Sequence, residues 1–245
     1  MIITTNELRQ LKNTPNSGYD KIKVEFLFHS NKLEGSTFTK ENLEKYLKEQ
    51  VIEGSHAVDD VFETINSIKL FDYAVDTLGQ PLNETLLMDF NQMLMKNTRN
   101  QEWGFAGKWK KIPNHILGAS EKLVLAQPHE VPARIEALLA DWEQSEKSFE
   151  EVLKFHIDFE QIHPFQDGNG RIGRFIILKQ CIENGLDVIA IDEKYNDEYK
   201  QGLYKAQTGN GDGQLREVFQ LCQALLDEKL KFLENTLKCI RSKEA

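Results

Sequence analysis

Residues 148–185 constrain the fold more than any other stretch, because they write two buried helices around one tight turn. Ser148-Phe-Glu-Glu151 has capping-box spacing and opens a helix with Val152, Phe155, Phe159 and Ile162 on one face. His163 stands at the end of that helix, and Pro164 discourages its continuation. Gly168, Asn169 and Gly170 supply the turn, and a second helix follows from Arg171 through Ile172, Phe175, Ile176 and Ile182 to a stop at Asn184-Gly185. An imidazole, the Asp167 carboxylate, two guanidinium groups (Arg171, Arg174) and the N–H groups of a helix start are thereby gathered at one end of a helix pair. A helix N-terminus favours an anion, and phosphate chemistry is mostly positioning plus charge neutralisation.

Helical periodicity covers most of the chain. Ser17 with Asp20 has capping-box spacing ahead of Ile22, Phe26, Leu27 and Leu33, and Gly35 is a natural stop. Thr39 caps a helix carrying Leu43, Tyr46 and Leu47; Ser55 caps a longer one with a buried stripe of Val58, Val61, Phe62, Ile65, Ile68, Phe71, Val75 and Leu78. Further helices start at Asn83 and near Pro132, another covers about 192–208, and a long last one runs from about Gln214. Segment 101–128 breaks the pattern with glycines, prolines and two β-compatible runs, 108–112 and 122–125, which predict a β-hairpin flap. The expected fold class is all-α with that one small hairpin. The expected division is an N-terminal helical region 1–82, with a distinct helix at about 19–35, a core 83–210 and a C-terminal helical extension 211–245.

With 245 residues and 40% hydrophobic content the chain can bury a sizeable core. The net charge of −9 argues against nucleic acid or an acidic membrane surface as partner. An anion site must then be locally basic, and Lys108, Lys110, Lys111, Arg171 and Arg174 are the nearest source. Cys181, Cys222 and Cys239 are too scattered for a disulfide framework or a zinc site and read as buried thiols in a reducing compartment. The first residues lack the signal-peptide pattern and no apolar run reaches bilayer length, so the expected location is the cytoplasm. His156 shares a face with His163 but has no further ligand at metal-binding spacing, and His29, His56, His115 and His129 have no ligand-like partners in sequence.

The run His163-Pro-Phe-Gln-Asp167-Gly-Asn-Gly-Arg171-Ile-Gly-Arg174 resembles the Fic-family signature His-x-Phe-x-Asp-Gly-Asn-Gly-Arg-x-x-Arg, and the resemblance extends over about 30–215. It implies a helical Fic-like fold and transfer of AMP from ATP to a Ser, Thr or Tyr hydroxyl of a target protein, with release of pyrophosphate. By resemblance His163 is the general base, a task suited to an imidazole. Asp167 would hold Mg²⁺, which favours one or two carboxylates plus phosphate oxygens. Gly168, Asn169 and Gly170 would cradle phosphate with backbone N–H groups, and Arg171 and Arg174 would grip the outer phosphates. Gly170 matches the AMP-transferring members, where the kinase-like Doc branch tends to carry Lys. Phe165 reads as a packing anchor.

Ser30-Asn-Lys-Leu-Glu34-Gly35 resembles the inhibitory element of a Fic subclass that carries it ahead of the central motif. Ser30 and Glu34 are i and i+4 and share a helix face. The resemblance implies that Glu34 pairs with Arg174, denies it the γ-phosphate and leaves the α-phosphate misaligned. It also puts a target-docking flap at 108–115, with Lys110, Lys111 and Ile112 as strand-adding candidates, and the adenine side at Tyr199 and Gln207. Lys200 and Gln207 stand where some relatives have Tyr and Asn. The implied partners are ATP and a protein with an accessible hydroxyl, this chain itself included; apolar residues on the 55–78 helix would suit self-association. Two rival readings use the same residues. One is a variant that removes AMP, with Glu34 positioning water, or moves another phosphate-linked group. The other is a regulatory module that holds nucleotide without turnover, which the presence of both His163 and Asp167 disfavours.

Overall fold

The computed structural model describes residues 2–14, 17–116 and 123–244, with residues 243 and 244 described by backbone alone. In order they form α1 (Thr5–Asn13), α2 (Tyr19–Lys32), α3 (Lys40–Glu49), α4 (Val58–Asp76), α5 (Glu84–Leu94), α6 (Arg99–Glu102), α7 (Val131–Gln144), α8 (Phe149–Ile162), α9 (Asn169–Glu183), α10 (Asn196–Gln207), α11 (Gly213–Leu230) and α12 (Glu234–Glu244). Thr4, Thr39, Asn83 and Ser148 each accept an N–H from the first turn of the helix they precede. None of the described helices is long and apolar enough to cross a membrane.

The architecture is all-helical, as the periodicity requires, but the predicted β-hairpin flap is absent: the described residues contain no strand, only isolated bridges between Ile2 and Asp187 and between Trp109 and Phe165. The physical reason lies at the C-terminal end of α8, whose last carbonyls lack intrahelical donors. Lys110 N–H donates to Pro164 O at 2.8 Å and Ala126 N–H to Gln161 O at 3.3 Å. Lys110 of the first run and Ala126, just past the second, therefore bond to the end of α8 and the turn beyond it rather than to each other. Residues 117–122, where the hairpin tip and Lys122 were expected, lie outside the described residues.

Three local expectations also change. Ser17 does not cap α2; Gly18 does, at φ 91°, because Phe232 and Leu233 close over it and a Cβ would stand 2.5 Å from Leu233 Cδ2. Ser55 does not cap α4, which begins at Val58 after Ala57. The last helix breaks at 231–233, where Leu230, Leu233 and Leu237 turn inward.

α9 is the central element. It packs against α8, α4, α5 and α2, and Phe175 meets Phe26 of α2 and Phe90 of α5. α2 is tied down on its other side. His29 Nδ1 donates to Glu193 Oε2 at 2.5 Å, and His29 Nε2 accepts from Lys229 Nζ at 2.8 Å. Lys229 also donates to Asp192 at 3.0 Å. His29 thus has partners from distant segments that its sequence neighbourhood did not announce. The clamp fixes the helix whose next residue is Ser30.

Candidate active site

His163 leaves α8 with φ 49° and ψ 62°, a left-handed conformation that turns the chain away from the helix axis. Carbonyls on both sides of it are used: Nδ1–H of His163 lies 3.3 Å from Glu160 O, Lys110 Nζ donates to Ile162 O at 3.1 Å, and Asn169 Nδ2 to Phe165 O at 2.9 Å. With Nδ1 so engaged, Nε2 is left as the bare proton acceptor. Burial and then the Lys110 ammonium push the imidazole pKa down to about 4, so His163 is neutral at physiological pH.

The turn closes through Asn169, whose Oδ1 accepts Phe165 N–H at 2.8 Å. Phe165 is fully buried, with its ring 5.0 Å from Trp109. Gly168 caps α9 at φ 83°, and a Cβ there would stand 2.5 Å from Met95 Cε, so both backbone and space call for glycine. Asp167 projects outward with 49% of its side chain exposed. Its Oδ1 accepts Gly168 N–H at 2.6 Å and its Oδ2 accepts Asn100 Nδ2 at 2.9 Å.

Both motif arginines already hold carboxylates. Arg174 donates from Nε to Ser30 Oγ at 2.9 Å, and from Nη2 to Ser30 O at 2.9 Å and to Glu34 Oε1 at 2.6 Å. Burial would raise the Glu34 pKa, but Arg174 and then Arg171 outweigh it and hold the carboxyl below its ordinary value. The Glu34 carboxylate fills the space above Gly170, where any Cβ would collide with it. Arg171 pairs with Glu63 of α4 and lies 4.0 Å from Asp167. A cleft of about 200 Å³ beside this pair is lined by Glu34, Asp59, Asp60, Glu63 and Arg171.

Residues 81–181 match the family model described as Fic/DOC family. The chain carries a Fic/DOC domain. A probable protein adenylyltransferase of Aquifex aeolicus is 32% identical over 139 residues, which is 56% of this chain but only 40% of that protein's length. Among solved structures, a Fic-domain-containing signaling protein from Bacteroides thetaiotaomicron has a TM-score of 0.72 at 22% identity, covering 92% of this chain and 94% of that one. Fic-1 from C. elegans also has a TM-score of 0.72, at 16% identity, covering 95% of this chain and 72% of that one. At these identities the two structures show a shared fold.

The motif residues, Ser30 and Glu34 converge on one site, and the other expected residues divide between its buried flank and the surface. Lys110 is buried under the end of α8, while Lys111 and Ile112 are exposed. Tyr199 is buried, its hydroxyl 2.8 Å from His156 Nε2 beneath Arg174. Gln207 is half-buried, and its Nε2 has no hydrogen-bond partner. Sequence reasoning missed Glu63 and Glu160. Glu160 Oε2 lies 3.7 Å from His163 Nδ1, and burial pushes its carboxyl up to about 8 against the opposing pull of Arg174. The signal for Glu63 was available as Asp59 and Glu63 at i, i+4 on one face of α4.

Proposed function

We propose that this Fic/DOC chain is a protein adenylyltransferase, moving AMP from ATP to a hydroxyl side chain of a protein, and that it rests with Glu34 closing the site. One observation carries the reading. A neutral imidazole with its Nε2 left bare stands at the end of α8, and the helix that follows the turn carries two guanidinium groups that each already grip a carboxylate. Guanidinium forks that hold carboxylates are the groups that hold phosphate oxygens. The name of the Aquifex relative supports the same reaction class, and the shared length leaves that protein's wider activity out of the comparison.

In this reading His163 Nε2 takes the proton of the incoming hydroxyl. The hydroxyl oxygen forms a bond to the α-phosphorus, the bond from that phosphorus to the α–β bridging oxygen breaks, and pyrophosphate leaves with the electron pair. The N–H groups of Asn169 and Gly170 and the forks of Arg171 and Arg174 neutralise phosphate charge, while the Gly168 N–H stays on Asp167. Asp167 fits a hard dication: it offers carboxylate oxygens at the surface, steadied by Gly168 and Asn100. When bound there, Mg²⁺ would draw off charge from the phosphates.

Glu34 holds the resting state by occupying Arg174 and the space over Gly170. Ser30 steadies the same guanidinium, so the brake is a hold from the last turn of α2 and the turn that follows it. The partners are then ATP and a protein hydroxyl, with this chain's own hydroxyls as the first available target. The test is incorporation of labelled AMP by wild type, Glu34→Gly and His163→Ala/Glu34→Gly, with and without cell lysate. Label on protein that rises with Glu34→Gly and vanishes with His163→Ala is the expected result; incorporation indifferent to His163 would overturn the reading.

A further inference from the structure

Lys110 was expected at a docking edge, yet its residue is only 3% exposed and it can offer little to a partner. Both of its donors go elsewhere. Its backbone N–H donates to Pro164 O at 2.8 Å, and its Nζ donates to Ile162 O at 3.1 Å. Those two carbonyls stand immediately before and after His163 in the chain. His163 itself is left-handed at φ 49°, a region a side-chain-bearing residue occupies at a cost of about 1–2 kcal/mol. A turn of that kind keeps its shape only if the surroundings hold it. The neighbouring residues add to the hold: Trp109 bridges to Phe165 and packs its ring against it at a tilt, and Asn114 Nδ2 donates to Phe165 O at 2.8 Å.

We propose that Lys110 is a positioning residue for His163, bonding the carbonyls on either side of it and so fixing where its imidazole points. The kinetic side of this role rests on the AMP-transfer reading; the structural side does not. The ammonium is an expensive choice for the task. It is buried with one neutral acceptor, and burial followed by the Arg134 charge brings it down to about 8. A methylene stem would fill the same space at less cost, so the charge itself has a use. Four charged or titratable groups bear on His163: Lys110 from the 103–116 segment, Glu160 on its own helix, Asp167 on the turn and Glu34 from the turn after α2. Of these, Lys110 opposes a second positive charge on the imidazole and keeps it a free base.

The experiment uses Lys110→Met and Lys110→Arg in the Glu34→Gly protein. The His163 ring is titrated by NMR in ¹³C-histidine-labelled protein, and AMP transfer, ATP-analogue affinity and melting are measured on the same samples. Lys110→Met keeps the backbone bond and the stem and removes the ammonium. It should move the His163 titration to higher pH and lower kcat roughly tenfold, with analogue affinity unchanged. Lys110→Arg should restore part of both. An unmoved His163 titration, or a kcat loss that merely follows lost melting temperature or lost analogue affinity, overturns the proposal. If Glu34→Gly transfers no AMP at all, the functional reading fails by itself, and the histidine titration still decides the role of Lys110.

Discussion

Replacing Glu34 by glycine should tighten binding of a non-hydrolysable ATP analogue and at the same time weaken the unliganded fold. The Arg174–Glu34 contact is 2.6 Å long; the arginine side chain is 3% exposed, while the glutamate keeps 36% of its side chain open to water. A hydrogen bond to a charged group nets about 1.5–3 kcal/mol when shielded. Solvent on the glutamate side lowers that to about 1–2 kcal/mol. Because the phosphate must displace this contact to reach Arg174, the variant should bind the analogue roughly 5- to 30-fold more tightly. The two Ser30 bonds to Arg174 remain, so the guanidinium is not stranded. The unliganded variant should still melt about 2–8 °C lower, and saturating analogue should raise its melting point more than that of wild type. Calorimetric titration with Mg²⁺ present and melts with and without analogue read both effects. Equal affinities and equal melting points would refute the view that Glu34 competes with phosphate.

The pH dependence of single-turnover transfer should show its acid limb near pH 4–5, because His163 is pushed down to about 4 by burial and by Lys110; a limb near the ordinary histidine value would contradict that environment. Glu160, pushed up to about 8, binds its proton more tightly folded than unfolded. The stability it lends is therefore present at low pH and is lost as pH rises from the ordinary carboxyl range through 8. Glu160→Gln should gain on wild type across that window, by a few kcal/mol at pH 8.5 relative to pH 5 in urea melts. Glu63→Gln should tighten analogue binding a few-fold, less than Glu34→Gly, since the amide oxygen still accepts a bond from Arg171 without opposing the phosphates.

Much of this was readable in the chain. The apolar spacing of Val152, Phe155, Phe159 and Ile162 and of Ile172, Phe175 and Ile176 set the helix pair, and the i, i+4 relation of Ser30 and Glu34 put both on one face before their partner was in view. That partner lies 140 residues away from Glu34, beyond the reach of any spacing rule. The flap failed for a related reason. The runs at 108–112 and 122–125 have β-compatible composition, but composition does not say whether a strand's hydrogen bonds go to a sister strand or to unsatisfied helix carbonyls. Here Pro164, just past α8, took the Lys110 N–H, Gln161 took that of Ala126 next to the second run, and the Lys110 side chain followed its backbone inward to Ile162. Glu63 escaped notice because the inner face of α4 was read from its apolar residues. In the structure the N-terminal half of that helix buries Thr64, Asn66 and Ser67 instead, while Val58 is exposed and Val61 and Phe62 are only half-buried. Asn66 satisfies the Leu94 and Lys96 carbonyls, and Ser67 accepts from Asn31 of α2, so a polar seam joins α2 to the body of the fold.

The most direct measurement is a crystal structure of the Glu34→Gly protein with a non-hydrolysable ATP analogue and Mg²⁺. Phosphate oxygens should lie on the N–H groups of Asn169 and Gly170 and on the Arg174 guanidinium, with the α-phosphorus on the Nε2 side of His163. Nucleotide seated elsewhere on the chain, or an α9 N-terminus left bare at saturating analogue, would contradict the account.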